Sequence, residues 1–155
     1  MRALERFVEA QDAHGTYDAA LAELRAGLKT SHWMWFVFPQ YAGLGRSSMA
    51  QHYAITSLGE ARAYVADPVL GARLRQCATV LLELPPATTP EGVFGQVDAV
   101  KLRSSMTLFA AADPHEPSFR RVLGRFFAGE PDAATDRLLD AARRQAQRPT
   151  PRRPG

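Results

Sequence analysis

The sequence has a single cysteine, Cys77, among its 155 residues. One cysteine cannot form a disulfide within the chain, and it excludes a cysteine-based metal site. Residues 1–6 lack the apolar stretch of a secretory signal peptide. The longest strongly apolar run, residues 33–38, is far too short to span a bilayer and ends at Pro39. We therefore expect a cytoplasmic protein with no membrane partner.

Acidic residues are missing from the C-terminal end of the chain. Residues 141–155 contain five arginines and no acid, whereas residues 1–140 contain 14 basic and 16 acidic residues. The net positive charge of +3 therefore comes from the end of the chain and not from its body. We predict a single domain over residues 1–140 and a flexible tail, rich in arginine and proline, over residues 141–155. Nucleic-acid binding is not expected beyond weak contacts of this tail.

The common catalytic signatures are also absent. The sequence has no nucleophile elbow, P-loop, HExxH motif or aspartate-rich calcium loop. The four histidines lie far apart without the spacing of metal ligands. We therefore expect no metal and no cofactor. The histidines are His14, His32, His52 and His115.

Helical periodicity dominates what is present. Ser57 and Glu60 form a capping box, and Asp67, followed by a proline, is typical of a helix start. Asp98 is a further candidate N-cap. Residues 30–56 lack the helical period, and we interpret them as a buried extended or irregular segment with at most a short strand pair. The sequence thus predicts a compact all-α, or mainly α, single domain. The residues predicted to face inward include Tyr17, Ala20, Leu21, Leu24, Leu28, Leu70, Leu74, Cys77, Ala78, Leu81, Leu102, Met106, Phe109, Phe119, Val122, Leu123 and Phe126.

The first candidate site segment is the aromatic stretch that follows Lys29. Two tryptophans there could sandwich a planar ring, and Lys29 or His32 could meet a negative group. His32 could also transfer a proton near neutral pH. The alternative is that the aromatic side chains are core and that Lys29 is solvated. The candidates are Lys29, Ser31, His32, Trp33, Trp35 and Gln40.

A glycine-rich loop, residues 43–48, follows this stretch. Its glycines let backbone N–H groups approach a ligand, and Arg46 with two serines suits a phosphate or carboxylate. The alternative is a plain turn.

The second candidate segment is residues 94–109. Asp98, Lys101, Ser104 and Ser105 lie within two helical turns, on or beside one face. Hydroxyls in so short a stretch suggest ligand binding or the tethering of a neighbouring segment. An N-cap with a routine surface ion pair is the alternative.

These motifs resemble a bacterial family known as domain of unknown function 1810. The match runs in order over roughly residues 3 to 140. The matching motifs are KxSHWMWFxFPQ (29–40), GLG (43–45), YAI (53–55), EAxxY (60–64), LGxRL (70–74) and DxxKLxSSMTLF (98–109). The resemblance implies a compact, mainly helical domain and little about activity. Some members carry the name calpastatin, which does not fit a short, aromatic, globular chain.

A more distant similarity is to the NADAR proteins, a helical family associated with ADP-ribose and NAD-derived chemistry. The counterparts here are His52-Tyr53, Glu60-Ala61, Gly71-x-Arg73 and residues 106–109. Gln51 stands where that family has a catalytic glutamate beside the His-Tyr pair. The similarity therefore suggests a shared pocket more than a shared reaction.

The leading hypothesis is a domain that binds a nucleotide-like or ADP-ribose-related small molecule. If it is an enzyme, hydrolysis of a glycosidic bond is expected, with His32 or Asp98 as the catalytic acid–base group. The alternative is a non-catalytic protein-interaction module. The ligand-binding prediction requires the two candidate segments to converge in space, and the oligomeric state is left open.

Overall fold

A computed structural model describes residues 2–148 of the chain. A short 3-10 helix, Ala13–Gly15, joins the first two α-helices. Within the described range, the one pairing of extended backbone is a single parallel bridge between Tyr41 and Ile55. The prediction of an all-α domain is therefore confirmed. The α-helices are α1 Arg2–Asp12, α2 Thr16–Ala26, α3 Met34–Val37, α4 Ser48–His52, α5 Leu58–Ala66, α6 Leu70–Leu82, α7 Pro90–Ala112, α8 Pro117–Phe126 and α9 Ala133–Gln147.

Helix α7 is the central element of the fold, because α5, α8 and α9 all pack against it. Its buried Phe109 ring lies 5.1 Å from that of Tyr64 on α5 and 6.0 Å from that of Phe119 on α8. Leu102 and Met106 are fully buried on the same helix. Helix α6 packs against α2, α5 and α8 and completes the core. The helix that carries Asp98 and its neighbours is thus held firmly from several sides.

The helix starts follow the capping patterns of the sequence. The Ser57 hydroxyl accepts a hydrogen bond from the backbone N–H of Glu60, as a capping box requires. The Asp67 carboxylate accepts from the N–H groups of Val69 and Leu70, at the start of α6. The Asp132 carboxylate does the same for α9 through the N–H of Thr135. Local sequence therefore determines where these helices begin.

Two predictions about the chain between α2 and α5 are wrong. Residues 30–56 are not extended or irregular throughout, since Ser48–His52 is helical and Met34–Val37 forms one turn of helix. Four residues are too few for a helical period to show in the sequence. Leu28 does not face inward and is 55% exposed. Helix α2 ends at Ala26, and the φ of 72° at the next residue, Gly27, turns the chain out of the helix before Leu28.

Asp98 is not an N-cap. The helical path has already resumed after a kink at Gly95, where φ is 75° and ψ is 172°, so Asp98 lies inside α7. Helix α9 continues to Gln147, past the predicted start of the tail at residue 141. The division into domain and tail stays a prediction, and Arg152 and Arg153 lie outside the described residues. None of the helices in residues 2–148 is long and apolar enough to cross a membrane.

Candidate functional site

Three charged residues from the two candidate segments meet in space. The Asp98 Oδ2 atom lies 2.9 Å from the Lys29 ammonium, and its Oδ1 atom lies 3.5 Å from the Lys101 ammonium. The backbone N–H of Lys29 also donates to the carbonyl of Val93 at 2.8 Å, which fixes the chain after α2 against α7. We call Lys29, Asp98 and Lys101 the lysine cluster. Its formation confirms that the two segments converge.

Each lysine of this cluster lies over a tryptophan ring. The Lys29 ammonium is 5.1 Å from the ring centroid of Trp33, and the Lys101 ammonium is 5.5 Å from that of Trp35. Such contacts attract a cation to the electron-rich face of the ring. Trp33 is fully buried, whereas Trp35 is partly exposed and stacks with the exposed His32 at 6.5 Å. The predicted sandwich of two tryptophans is therefore not formed, and Trp35 and His32 are the rings open to solvent.

Glu23, which the sequence analysis missed, organises the start of the aromatic segment. Its carboxylate accepts hydrogen bonds from the N–H of Thr30 at 2.6 Å, the N–H and hydroxyl of Ser31 at 2.9 and 2.5 Å, and the indole of Trp33 at 3.0 Å. Burial by itself would raise the pKa of Glu23, but these donors outweigh it and lower the pKa to about 2. Ser31 and Trp33 thus use their polar groups within the protein. No helical spacing links Glu23 to these residues, so the sequence carried no sign of the contact.

A cavity of about 500 Å³ lies between the loop before α4, helix α7 and the start of α9. Four predicted ligand-binding residues line it, namely Gln40, Arg46, Lys101 and Ser104. Its volume is within the range of small-molecule sites. We call this cavity the loop–α7 pocket. Its other lining residues are Leu44, Gly45, Ser47, Ala50, Val97, Val100, Asp132 and Ala134.

The pocket combines an open cation with an apolar wall. Arg46 is exposed, and its guanidinium has no ion pair or hydrogen bond to any residue in the range 2–148. Val97 and Val100 are 71% and 60% exposed on the pocket side of α7. Ser104 is buried, and its hydroxyl shares a hydrogen bond of 3.0 Å with Thr135. A ligand with one negative group and one apolar part matches this lining.

The loop that carries Arg46 is held close to α4 by a glycine. A Cβ atom at Gly45 would lie 2.5 Å from the Cβ of Ala50, which is closer than packed carbon atoms allow. The Ser47 hydroxyl caps α4 by accepting from the N–H of Ala50, and the Gln51 amide donates to the Arg46 carbonyl at 3.1 Å. The glycine and these bonds fix the backbone from which Arg46 extends.

Not every candidate residue lies in the pocket. Lys101 is the residue shared by the pocket and the lysine cluster, while Lys29 and Asp98 do not line the pocket. Ser105 is fully buried outside the pocket lining, and its hydroxyl has no hydrogen-bond partner among the described residues. Both oxygens of Asp98, a predicted catalytic residue, are engaged by lysines. Within residues 2–148 no group of His, Cys, Asp or Glu side chains is arranged as metal ligands would be.

The number of lysines is a feature of the sequence that the motifs do not show. Only two of the 19 basic residues are lysines, and all the others are arginines. Both lysines bind the same carboxylate. Arginine and lysine are not interchangeable wherever shape or proton transfer matters. The two lysines of the chain thus meet at one acidic side chain.

Comparison with known proteins places the chain among uncharacterised relatives. It is 44% identical to the conserved hypothetical protein Rv1873 from Mycobacterium tuberculosis, whose crystal structure it matches with a TM-score of 0.85 over 88% of this chain and 96% of that chain. A comparison with curated proteins gives no match. The comparisons do not show the similarity to NADAR proteins, which stays a prediction. The model of the family described as "Protein of unknown function (DUF1810)" matches residues 1–139, and the chain therefore belongs to that family.

Proposed function

We propose that this domain binds a nucleotide-like small molecule in the loop–α7 pocket. The observation that carries the proposal is the convergence of Gln40 and Arg46, from one segment, with Lys101 and Ser104, from another, around a single cavity. Small-molecule sites characteristically combine an apolar wall with a few convergent polar groups. An ADP-ribose-related compound is one ligand of this class.

The lining favours a definite orientation of the ligand. Arg46 and Lys101 are the cations that face the pocket, so the negative group belongs beside them. The exposed side chains of Val97 and Val100 offer apolar surface to the rest of the ligand. Trp35, which lies under the Lys101 ammonium, adds a partly exposed ring next to the site.

A thermal-shift screen of the purified protein against nucleotides, ADP-ribose, NAD and sugar phosphates tests the proposal. Ligand at about a hundred times its dissociation constant adds about 2.7 kcal/mol to the free energy of unfolding and raises the melting temperature by several degrees. We expect Arg46→Ala to abolish the shift without lowering the melting temperature of the free protein.

Arg121→Ala is the matched control. Arg121 is exposed on α8 and has no hydrogen bond or ion pair to the rest of residues 2–148, so its loss should leave the ligand response intact. A screen without hits, or a hit that survives Arg46→Ala, would refute binding in this pocket.

Hydrolysis of a glycosidic bond, with Asp98 or His32 as the acid–base group, is the reaction we propose if the domain is an enzyme. Asp98 does not line the pocket but forms an ion pair with Lys101, which does. To act as the acid–base group, Asp98 would have to release one of its two lysines and contact the substrate instead. Once a ligand is known, Asp98→Asn should abolish turnover, and His32→Gln should change the pH profile. Turnover that is unchanged in both variants would exclude this chemistry.

A non-catalytic interaction module is the second candidate. It is favoured by the exposure of Val97 and Val100 on one face of α7, because exposed aliphatic side chains side by side can contact a partner protein. Under this reading, replacing both valines with serine weakens binding to a purified partner, whereas Arg46→Ala does not. Loss of binding in Arg46→Ala, with binding retained in the valine variant, supports the small-molecule site.

A further inference from the structure

Building on the small-molecule site proposed above, we infer that Lys101 contacts the phosphate of the ligand as a point charge and that Lys29 is its positioning residue. In this arrangement Lys29 fixes Asp98, and Asp98 in turn fixes the Lys101 ammonium at the edge of the pocket. The sequence alone does not show that Lys29 and Lys101 have different roles. Their contacts in the structure do.

The two ion pairs of Asp98 are unequal. The Lys29 pair is short, at 2.9 Å, and the Lys29 side chain is only 9% exposed. The Lys101 pair is longer, at 3.5 Å, and the Lys101 side chain is 25% exposed. A shorter and more buried pair is screened less by solvent and holds its geometry more firmly. Asp98 is therefore anchored by Lys29, and Lys101 is the member free to turn toward a ligand.

An ammonium suits this position better than a guanidinium. A guanidinium has a rigid fork of donors and pairs with a carboxylate through two oxygens at once. One oxygen of Asp98 is already taken by Lys29, so a single-point cation fits the other. An ammonium has three donors, and the ion pair with Asp98 can engage only one of them, which leaves two for a ligand. The use of lysine at these two positions alone agrees with this requirement.

The same geometry selects phosphate over carboxylate. The Arg46 fork can bind two oxygens of an anion, which uses both oxygens of a carboxylate. A phosphate monoester has a third terminal oxygen, and Lys101 lines the same cavity as Arg46. A phosphate can thus engage both cations fully, while a carboxylate must share its oxygens between them.

The scarcity of lysine makes the test direct. Protein labelled with carbon-13 at the lysine ε-carbon gives two lysine signals in an NMR spectrum, one for each lysine. The spectrum of Lys101→Arg assigns them. Titration with inorganic phosphate, adenosine monophosphate and acetate at matched ionic strength should move the Lys101 signal saturably with the two phosphates and only weakly with acetate.

Lys29→Met tests the positioning role. We expect it to displace the Lys101 signal before any ligand is added, to weaken phosphate binding about tenfold, the equivalent of one charge-assisted hydrogen bond, and to reduce the preference for phosphate over acetate. A purely structural role would lower the melting temperature and leave the phosphate-to-acetate affinity ratio unchanged. If Lys29→Met does not fold, Asp98→Asn keeps the shape of the side chain and should produce the same three changes.

Failure of this inference is distinguishable from failure of the binding site itself. If adenosine monophosphate raises the melting temperature in a manner that depends on Arg46 while the Lys101 signal stays still, the role of Lys101 is refuted and the pocket stands. If no compound of the thermal-shift screen binds, the pocket is refuted and the lysine mechanism with it.

Discussion

Basic side chains in two regions of this protein use their hydrogen-bond donors in opposite ways. Arg125, on α8, donates to four backbone oxygens at the end of α6, and none of its contacts faces the loop–α7 pocket. The accepting carbonyls belong to Leu81, Leu82, Leu84 and Pro85. Leu81 and Leu82 are the last two residues of α6, where helix carbonyls lack their usual i+4 donors, and Leu84 and Pro85 follow shortly after the helix. Arg125 therefore works as a clamp between α6 and α8.

The lysine cluster, by contrast, leaves donors unused. Its Lys101 ammonium makes one long ion pair and lines a cavity, and Arg46 across that cavity has no partner in the described part of the chain. The comparison teaches that a cation in partly apolar surroundings is structural when protein oxygens take its donors. It is a candidate for ligand binding when its donors remain open beside a cavity.

The largest change in stability is expected at Gly71, which lies on α6, the helix whose C-terminal end Arg125 holds. A Cβ atom there would lie 2.0 Å from the backbone oxygen of Val65, and a carbonyl of α5 cannot move aside as a side chain can. We expect Gly71→Ala to lower the free energy of unfolding by about 3 kcal/mol or more in urea denaturation. Gly124→Ala is the control, because a Cβ atom there meets nothing within 4 Å. It should stabilise α8 by about 0.5–1 kcal/mol, and equal effects at both glycines would contradict the packing described here.

Arg125→Met comes next. It keeps much of the aliphatic bulk but removes the four hydrogen bonds that Arg125 donates, so we expect the free energy of unfolding to fall by about 2 kcal/mol. Ligand binding in the loop–α7 pocket should be unchanged below the melting temperature, as calorimetric titration can check. Arg121→Met, on the exposed face of the same helix, should change stability by less than about 0.5 kcal/mol. A loss of ligand binding in Arg125→Met would contradict the distinction between the structural Arg125 and the pocket cations Lys101 and Arg46.

Glu23 gives a stability effect that depends on pH. Its pKa falls from an ordinary value of 4.5 to about 2, because its hydrogen bonds favour the ionised form. The stability that it contributes is thus fully present above pH 4.5 and is lost as the pH falls from about 4.5 to about 2. We expect Glu23→Gln to cost about 1–2 kcal/mol at neutral pH and to flatten the decline of stability in that acidic window. An unchanged pH profile would show that another group is responsible.

The smallest effects are expected at two adjacent serines, with opposite signs. Ser104→Ala breaks the buried hydrogen bond to Thr135 and should cost about 1 kcal/mol. Ser105→Ala removes a buried hydroxyl that has no partner in residues 2–148, so it should be neutral or stabilise by up to about 1 kcal/mol. Thermal denaturation of the two variants side by side checks the signs. A cost at Ser105 would mean that its hydroxyl makes a contact absent from the structure described.

Much of the fold could be predicted from local patterns. The capping residues Ser57, Asp67 and Asp132 act as their sequence context indicates, because a cap needs only neighbours along the chain. The errors occurred where the local signal was short or interrupted. The turn Met34–Val37 is too short to display a period, and Gly27 ends α2 before Leu28 can join its buried face.

The candidate site could be predicted in part. The chemistry of their side chains makes four residues candidates, and all four line one cavity: Gln40, Arg46, Lys101 and Ser104. The sequence did not show which tryptophan is buried: Trp33 is fully buried, whereas Trp35, two residues later, is partly exposed. Which of two aromatic rings is buried depends on what packs over it, and that is supplied by distant segments.

The sequence by itself determined the longer helices, most of their caps and apolar stripes, and the family, because these depend on residues close together in the chain. It also contained the two lone lysines. Only the tertiary structure decided that Lys29 and Lys101 share the carboxylate of Asp98 and that the Arg46 loop faces Lys101 across a cavity. The physical reason is that ion pairs and cavities depend on distances in space. Those distances are set by how α7 packs against the rest of the core.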